Sequence, residues 1–178
     1  WHTVVVSAVS EPRNRSHAGL SIAEIAGRRG RDPFDVYLDL LISERLGATC
    51  LHHVGNEDNV REIMRHPTHM AGSDGLLTGA RPHPRAYGTF ARYLGLYSRE
   101  ERVVPLEEMV RKMTTAPARR LRLPDRGQVG PGMAADLVCF DPVLVRDRAT
   151  YSDPRRSPDG VPYVVVNGEV VIEEGRHT

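Results

Sequence analysis

Met70-Ala71-Gly72-Ser73-Asp74-Gly75-Leu76-Leu77-Thr78-Gly79-Ala80-Arg81-Pro82-His83-Pro84-Arg85 is the stretch on which the fold turns. A short apolar run ends in Gly-Ser-Asp-Gly. A Pro- and Gly-punctuated loop then leads to His-Pro-Arg, just ahead of a helical pattern. A carboxylate at the exit of a buried strand is where barrel and doubly wound enzymes place catalytic groups. The glycines on either side, Gly72 and Gly75, are expected to let the backbone turn sharply and to leave the Asp74 carboxylate uncrowded. Arg85 brings a planar, permanently charged fork that suits a carboxylate ligand. Read by itself, an Asp beside Gly is more often an Asx-turn or helix-cap residue. The His-Pro-Arg that follows at this spacing favours the catalytic reading.

Upstream, Thr3 to Ala8 is short and β-branched, the pattern of a buried strand. Ser21-Ile22-Ala23-Glu24 has the form of a capping box, predicting a helix to about Arg29 with Ile22, Ile25 and Ala26 as its apolar stripe. Asp32-Pro33 predicts a second helix, with Asp as N-cap and Pro in the first turn. Phe34, Leu38, Leu41 and Ile42 keep helical spacing on it, and Gly47 is expected to stop it near Leu46. Residues 49–54 suit a strand. Residues 56–65 suit a helix with Glu57 and Asp58 in its first turn, ended by His66-Pro67. Residues 68–73 are then the strand that delivers Asp74. Strand, helix, strand is the rhythm of a parallel sheet.

Downstream, residues 87–97 and 105–115 read as helices, the first with Phe90, Leu94 and Tyr97 on one face and the second with Leu106, Met109, Val110 and Met113. From Gly127 the character changes. A Gly/Pro hinge feeds Ala135-Asp136-Leu137-Val138-Cys139, and two apolar runs flank Asn167-Gly168, a strong hairpin signal. The fold class is therefore α/β with a β-rich last third.

The totals exclude several function classes. The 24 Lys and Arg residues against 23 Asp and Glu give a net charge of +1, which argues against a nucleic-acid or membrane-surface protein. No apolar run approaches the ~20 residues of a membrane helix, and no signal-peptide pattern is present. Cys50 and Cys139 lie far apart, form no metal-type spacing and suggest reduced thiols in a cytoplasmic protein. The basic residues are nearly all Arg, a composition bias.

Gly72-Ser73-Asp74-Gly75, His83-Pro84-Arg85 and Tyr97-Ser98-Arg99 are the sharpest points of a resemblance that runs through most of the chain. They resemble the C-terminal part of the N-acyl-D-amino-acid deacylases (D-aminoacylases), metal-dependent members of the amidohydrolase superfamily. The last third resembles the signature that returns an amidohydrolase chain from its barrel to a small β-sandwich. The resemblance implies the C-terminal part of a metal-dependent TIM-like (β/α)8 barrel, residues 1–122, followed by part of the β-sandwich, residues 123–178. The chain begins on an apolar run without Met, and it stops where the family continues, so a piece of a longer enzyme is expected.

In chemical terms the resemblance implies hydrolysis of the amide bond of N-acyl-D-amino acids, a small-molecule substrate, with Zn²⁺ as cofactor. It makes Asp74 the catalytic carboxylate at the end of the last barrel strand, beside the metal and a ligand to it. Arg85 becomes the residue that holds the substrate carboxylate, and His83, in the same loop, a further substrate-binding candidate. Asp136 is structural, part of the turn into a strand. The family's remaining metal ligands, a His-x-His, a Cys or modified Lys and two later histidines, lie upstream and have no match here. His52 and His53 are adjacent on a strand and point to opposite faces, and His66 and His69 flank a Pro turn, so neither pair is expected to bind metal. The isolated chain is expected to be inactive and to expose apolar surface. A cyclic amidohydrolase of the dihydroorotase or hydantoinase type shares Asp74 and the β-sandwich signature but not the two Arg motifs. A non-catalytic binding or assembly module is the third reading.

Overall fold

The structure, a computed structural model, describes residues 1–178. The chain forms two compact units, each assembled from separate segments: Trp1–Gly55, Gly75–Ala86 and Thr150–Arg155 in the first, and Asn56–Asp74, Tyr87–Ala149 and Arg156–Thr178 in the second. No helix is long and apolar enough to cross a membrane.

The first unit starts with strand β1 (Val4–Ala8), followed by a short 3₁₀ turn at Pro12–His17, helices α1 (Ile22–Arg29) and α2 (Pro33–Ser43), and strand β2 (Thr49–His52). The expected capping box is present. Glu24 N–H donates to Ser21 Oγ at 3.2 Å, and Ser21 N–H donates to the Glu24 carboxylate at 2.7 Å. Gly30 closes α1 in the left-handed region at φ 61°. The core is Val6, Ile22, Ile25, Ala26, Val36 and Leu40.

Three expectations are corrected in this unit. First, the parallel sheet expected from residues 49–54, 56–65 and 68–73 does not form; β2 pairs antiparallel with β1, Val5 opposite Leu51. Two helices lie between β1 and β2, and an even number of chain-reversing helices returns the chain in the opposite sense. Second, α2 buries Val36 and Leu40, whereas Phe34 and Ile42 are 53% and 74% exposed. The helix is apolar on two faces, and only one docks on α1; such a helix suits a position inside a larger protein. Third, α2 ends at Ser43, and the left-handed turn is taken by Arg45 and Leu46 (φ 51° and 64°) rather than by Gly47.

The second unit begins with α3 (Glu57–Arg65), capped by Asn56, whose side chain accepts from Asn59 N–H at 3.0 Å. Helix α4 (Arg85–Arg92), which starts in the first unit and belongs to the second from Tyr87, runs directly into a π-helical stretch, Tyr93–Glu100. Helices α5 (Leu106–Met113) and α6 (Thr115–Arg120) follow. Met64, Ala91, Leu94, Tyr97, Val103, Val104, Met109 and Val145 form its core. Phe90, expected on the buried face with Leu94 and Tyr97, is exposed instead. The switch to π geometry at Tyr93 changes the angular step per residue, so one stripe cannot run straight through.

The Tyr97-Ser98-Arg99 motif does structural work. Tyr97 donates its hydroxyl to Glu57 at 2.6 Å, and Arg99 donates to the Val145 carbonyl at 2.6 Å. Val145 is fully buried against Gly95, where a Cβ would lie 2.5 Å from its carbonyl oxygen. Strands β3 (Leu137–Cys139), β4 (Tyr163–Val166), β5 (Glu169–Glu173) and β6 (Arg176–His177) form an antiparallel sheet in that order. Asn167 and Gly168 turn β4 into β5 with positive φ at both positions, as the hairpin signal predicts. Asp136 serves this turn. It accepts from Asn167 N–H at 2.7 Å and pairs with Arg126, and these contacts hold its carboxyl below the usual range.

Candidate active site

Asp74 ends a segment that carries no strand. Residues 68–73, expected as the strand before it, pair with no neighbouring strand. An extended segment becomes a strand only when a ladder partner lies alongside, and this chain supplies none. Other contacts fix the segment. Lys112, on α5, is 1% exposed. Its Nζ donates to the His66 carbonyl at 2.6 Å and the His69 carbonyl at 3.5 Å. Its own carbonyl accepts from Ala71 N–H at 3.0 Å. The His66 carbonyl lies at the C-cap of α3, where a cation is favoured by the helix dipole.

The turn at Asp74 is also made differently from the expectation. Gly72 and Gly75 are not in the left-handed region; Asp74 itself takes it, at φ 47°. Asp is one of the few residues that tolerates this conformation, through local hydrogen bonding by its short side chain. The residue is exposed.

The four upstream histidines do not gather. His52 Nε2 lies 3.6 Å from Cys50 Sγ, whereas the His53 ring meets the edge of Tyr151 at 4.7 Å. His66 Nδ1 accepts from Thr68 N–H and lies 2.8 Å from its hydroxyl. His69 packs near Tyr93. Burial, and then the charge of Lys112, hold it below the ordinary imidazole range. No group of three or more His, Cys, Asp and Glu side chains converges anywhere in residues 1–178.

Arg85 and His83 belong to the first unit, and the structure brings them together. His83 Nδ1 accepts from Arg85 N–H at 3.0 Å, and its carbonyl accepts from Ala86 N–H at 3.1 Å, so His83 caps the start of α4 twice. Its Nε2 lies 3.1 Å from the Tyr151 hydroxyl. An accepting Nδ1 places the ring proton on Nε2, which then donates to Tyr151. The loop before it is stitched to β1: Ser7 Oγ donates to the Arg81 carbonyl at 2.6 Å, and Arg81 N–H donates to the Ser7 carbonyl at 3.2 Å. Arg155 donates to the Gly79 carbonyl at 2.6 Å.

Ser7, Tyr151, Arg155 and Lys112 are the supporting residues that sequence reading missed. Only Lys112 left a clear signal, since it falls three residues after Met109 on the apolar stripe of α5. A separate cavity of about 320 Å³ in the first unit, lined by Arg13, His17, Arg29 and Asp39 among others, contains none of the named site residues.

Comparison with known proteins gives a consistent outcome. The family model described as "Amidohydrolase family" matches residues 13–172. An N-acyl-D-glutamate deacylase of Alcaligenes xylosoxydans xylosoxydans is 43% identical over 157 residues, which are 88% of this chain and 31% of the relative. A D-aminoacylase of the same organism is 40% identical over 161 residues, 90% of this chain and 32% of the relative. The crystal structure of an N-acyl-D-glutamate deacylase from Bordetella bronchiseptica, complexed with zinc and a phosphonate mimic of the tetrahedral intermediate, superposes with a TM-score of 0.89 at 39% identity. It covers 96% of this chain and 34% of that one. The chain thus spans about a third of the length of the curated relatives it matches.

Proposed function

The chain belongs to the amidohydrolase family, and from that premise we propose that its residues serve a metal-dependent enzyme that hydrolyses the amide bond of N-acyl-D-amino acids, releasing a carboxylate and a free D-amino acid. The activity is that of the whole protein. Residues 1–122 belong to its barrel and residues 123–178 to its small β-sandwich.

The observation that carries this reading is Asp74: an exposed carboxylate raised on a left-handed turn. It stands in a chain 37–43% identical to three deacylases of N-acyl-D-amino acids. Amide hydrolysis needs a base that takes a proton from water and hands it to the leaving nitrogen, and a positioned carboxylate does both. Asp74 Oδ is that base. Arg85 holds the substrate carboxylate through its planar fork. His83 keeps the start of α4 in place beneath it.

Zinc is the proposed metal, supported by the zinc-bound relative. When bound, it lowers the pKa of its water and polarises the carbonyl. The donors within residues 1–178 do not close such a site, because no three of them converge. Asp74 supplies one ligand, and the remaining ligands are assigned outside these residues.

The test is deacylation of N-acetyl-D- and N-acetyl-L-amino acids by the full-length parent, with and without zinc, beside an Asp74→Asn variant. The expected result is zinc-dependent turnover of the D substrate only, reduced at least ~100-fold in the variant. Zinc binding without activity on either substrate would overturn the reading in favour of a cyclic amidohydrolase.

A further inference from the structure

Lys112 is the only lysine among the chain's 24 Lys and Arg residues. A composition that uses Arg everywhere else retains Lys at the one basic position that is fully buried. The geometry explains why. An ammonium is a compact point charge with three rotatable donors, whereas a guanidinium is a wide planar fork. Two carbonyls three residues apart, His66 and His69, meet at this single nitrogen. The Lys112 carbonyl then accepts from Ala71 N–H, so one residue grips the chain on both sides of Met70. Asp74 lies three residues beyond Ala71, within about 10 Å of extended chain. Residues 68–73 pair with no neighbouring strand, and α5 provides the hold described here.

From these contacts we infer that Lys112 is the positioning residue for the Asp74 base: its buried ammonium fixes the 66–71 segment and thereby the place of the carboxylate. The inference rests on the deacylase reading above. Lys112 acts through the backbone and touches no reacting atom. Misplacing a catalytic group by about 1 Å can cost on the order of 100-fold in rate. Loss of the ammonium should therefore appear in kcat, and the Arg85 side of the site should be unaffected in KM.

The experiment uses the full-length zinc-loaded parent and compares Lys112→Met, Lys112→Gln, Asp74→Asn and the Lys112→Met/Asp74→Asn double variant. Each is checked for zinc content and thermal unfolding. The expected result is a fall in kcat of roughly 10- to 100-fold for Lys112→Met at unchanged KM and zinc content. A smaller fall is expected for Lys112→Gln, which keeps donors without charge. No further loss is expected when Lys112→Met is added to Asp74→Asn, because a misplaced base and a missing base are the same defect. A purely structural lysine would instead disturb KM and zinc content along with kcat, and the two losses would multiply. Wild-type kcat in Lys112→Met, or multiplicative losses in the double variant, would overturn the inference. If Lys112→Met does not fold, the same two outcomes are read from Lys112→Gln alone and combined with Asp74→Asn. Failure of the deacylase reading itself would show earlier and differently, as inactivity of the wild-type parent.

Discussion

The stretch that carries the proposed base and the stretch that carries the proposed carboxylate-binding arm are held by opposite means. The segment leading to Asp74 is gripped by one buried charge, Lys112, reaching from a packed helix. The loop leading to Arg85 is held by several separate contacts: one from the buried Ser7 to Arg81, and two exposed ones, Arg155 to Gly79 and Tyr151 to His83. A single buried, charge-assisted anchor gives one geometry and a large penalty when it is lost. Distributed contacts, most of them exposed, each contribute little, and the loop can yield to one loss. A base must be placed to within a fraction of an ångström, whereas a carboxylate-binding arm tolerates adjustment to substrates of different size. Support of the Asp74 kind should therefore act on kcat, and support of the Arg85 kind on KM.

Substitutions on the Arg85 side sharpen this contrast. Beside Lys112→Met in expected size, but read in KM rather than kcat, stands Arg85→Lys in the full-length enzyme. On the proposed role of Arg85 it keeps the charge and gives up one of two parallel hydrogen bonds to a substrate carboxylate, about 1.5–3 kcal/mol. KM should rise roughly 10- to 100-fold, with kcat within a few-fold, in steady-state kinetics on an N-acyl-D-amino acid. A fall confined to kcat would break the division of labour between the two stretches.

Tyr151→Phe comes next. It removes the hydroxyl that receives the His83 ring proton, worth about 0.5–1.5 kcal/mol, so KM should rise about 2- to 10-fold at constant kcat. Arg155→Ala should act in the same direction by releasing Gly79. If either lowers kcat as much as it raises KM, the loop is as tightly specified as the Asp74 segment.

The smallest effect concerns pH. His69 is held below the ordinary imidazole value of 6.5, by burial first and the Lys112 charge second. The folded state then binds fewer protons at this site than the unfolded chain. Stability is full above about pH 6.5 and declines as pH falls below it toward the folded-state value. Hydrogen exchange of residues 66–74 in the parent, compared between pH 7.5 and 5.5, should show weaker protection at the lower pH. His69→Gln should flatten that dependence, while protection around residues 79–85 stays as it was.

Much of the local structure was legible because short-range rules decide it. Ser21 with Glu24, Asn56 before α3, and Asn167-Gly168 between two apolar runs all specify their elements within four residues. The structural role of Asp136 came from the resemblance instead, because the turn it accepts from, at Asn167, lies far along the chain. What could not be read depends on partners distant in sequence. Residues 68–73 look like a strand, yet a ladder needs a neighbour. The sense of β1 against β2 follows from how many helices separate them, not from their residues. Both faces of α2 are apolar, so periodicity could not say which would dock. At the candidate site, the motifs around Asp74, His83 and Arg85 could be picked out from the sequence, whereas Ser7 and Tyr151 are ordinary residues that matter only through the Arg81 and His83 contacts they make. Lys112 was readable in principle: a lone lysine in an Arg-rich chain, set on an apolar stripe.

The solitary buried lysine also makes residues 1–178 a built-in gauge of local opening. An endoprotease that cuts only after lysine finds one target bond here, Lys112–Met113, inside a packed helix. It can be cleaved only in molecules that have transiently opened α5 and released the turn before Asp74. The rate of that single cut, followed as a function of denaturant or bound ligand, converts the integrity of the base's support into a number without any catalytic assay.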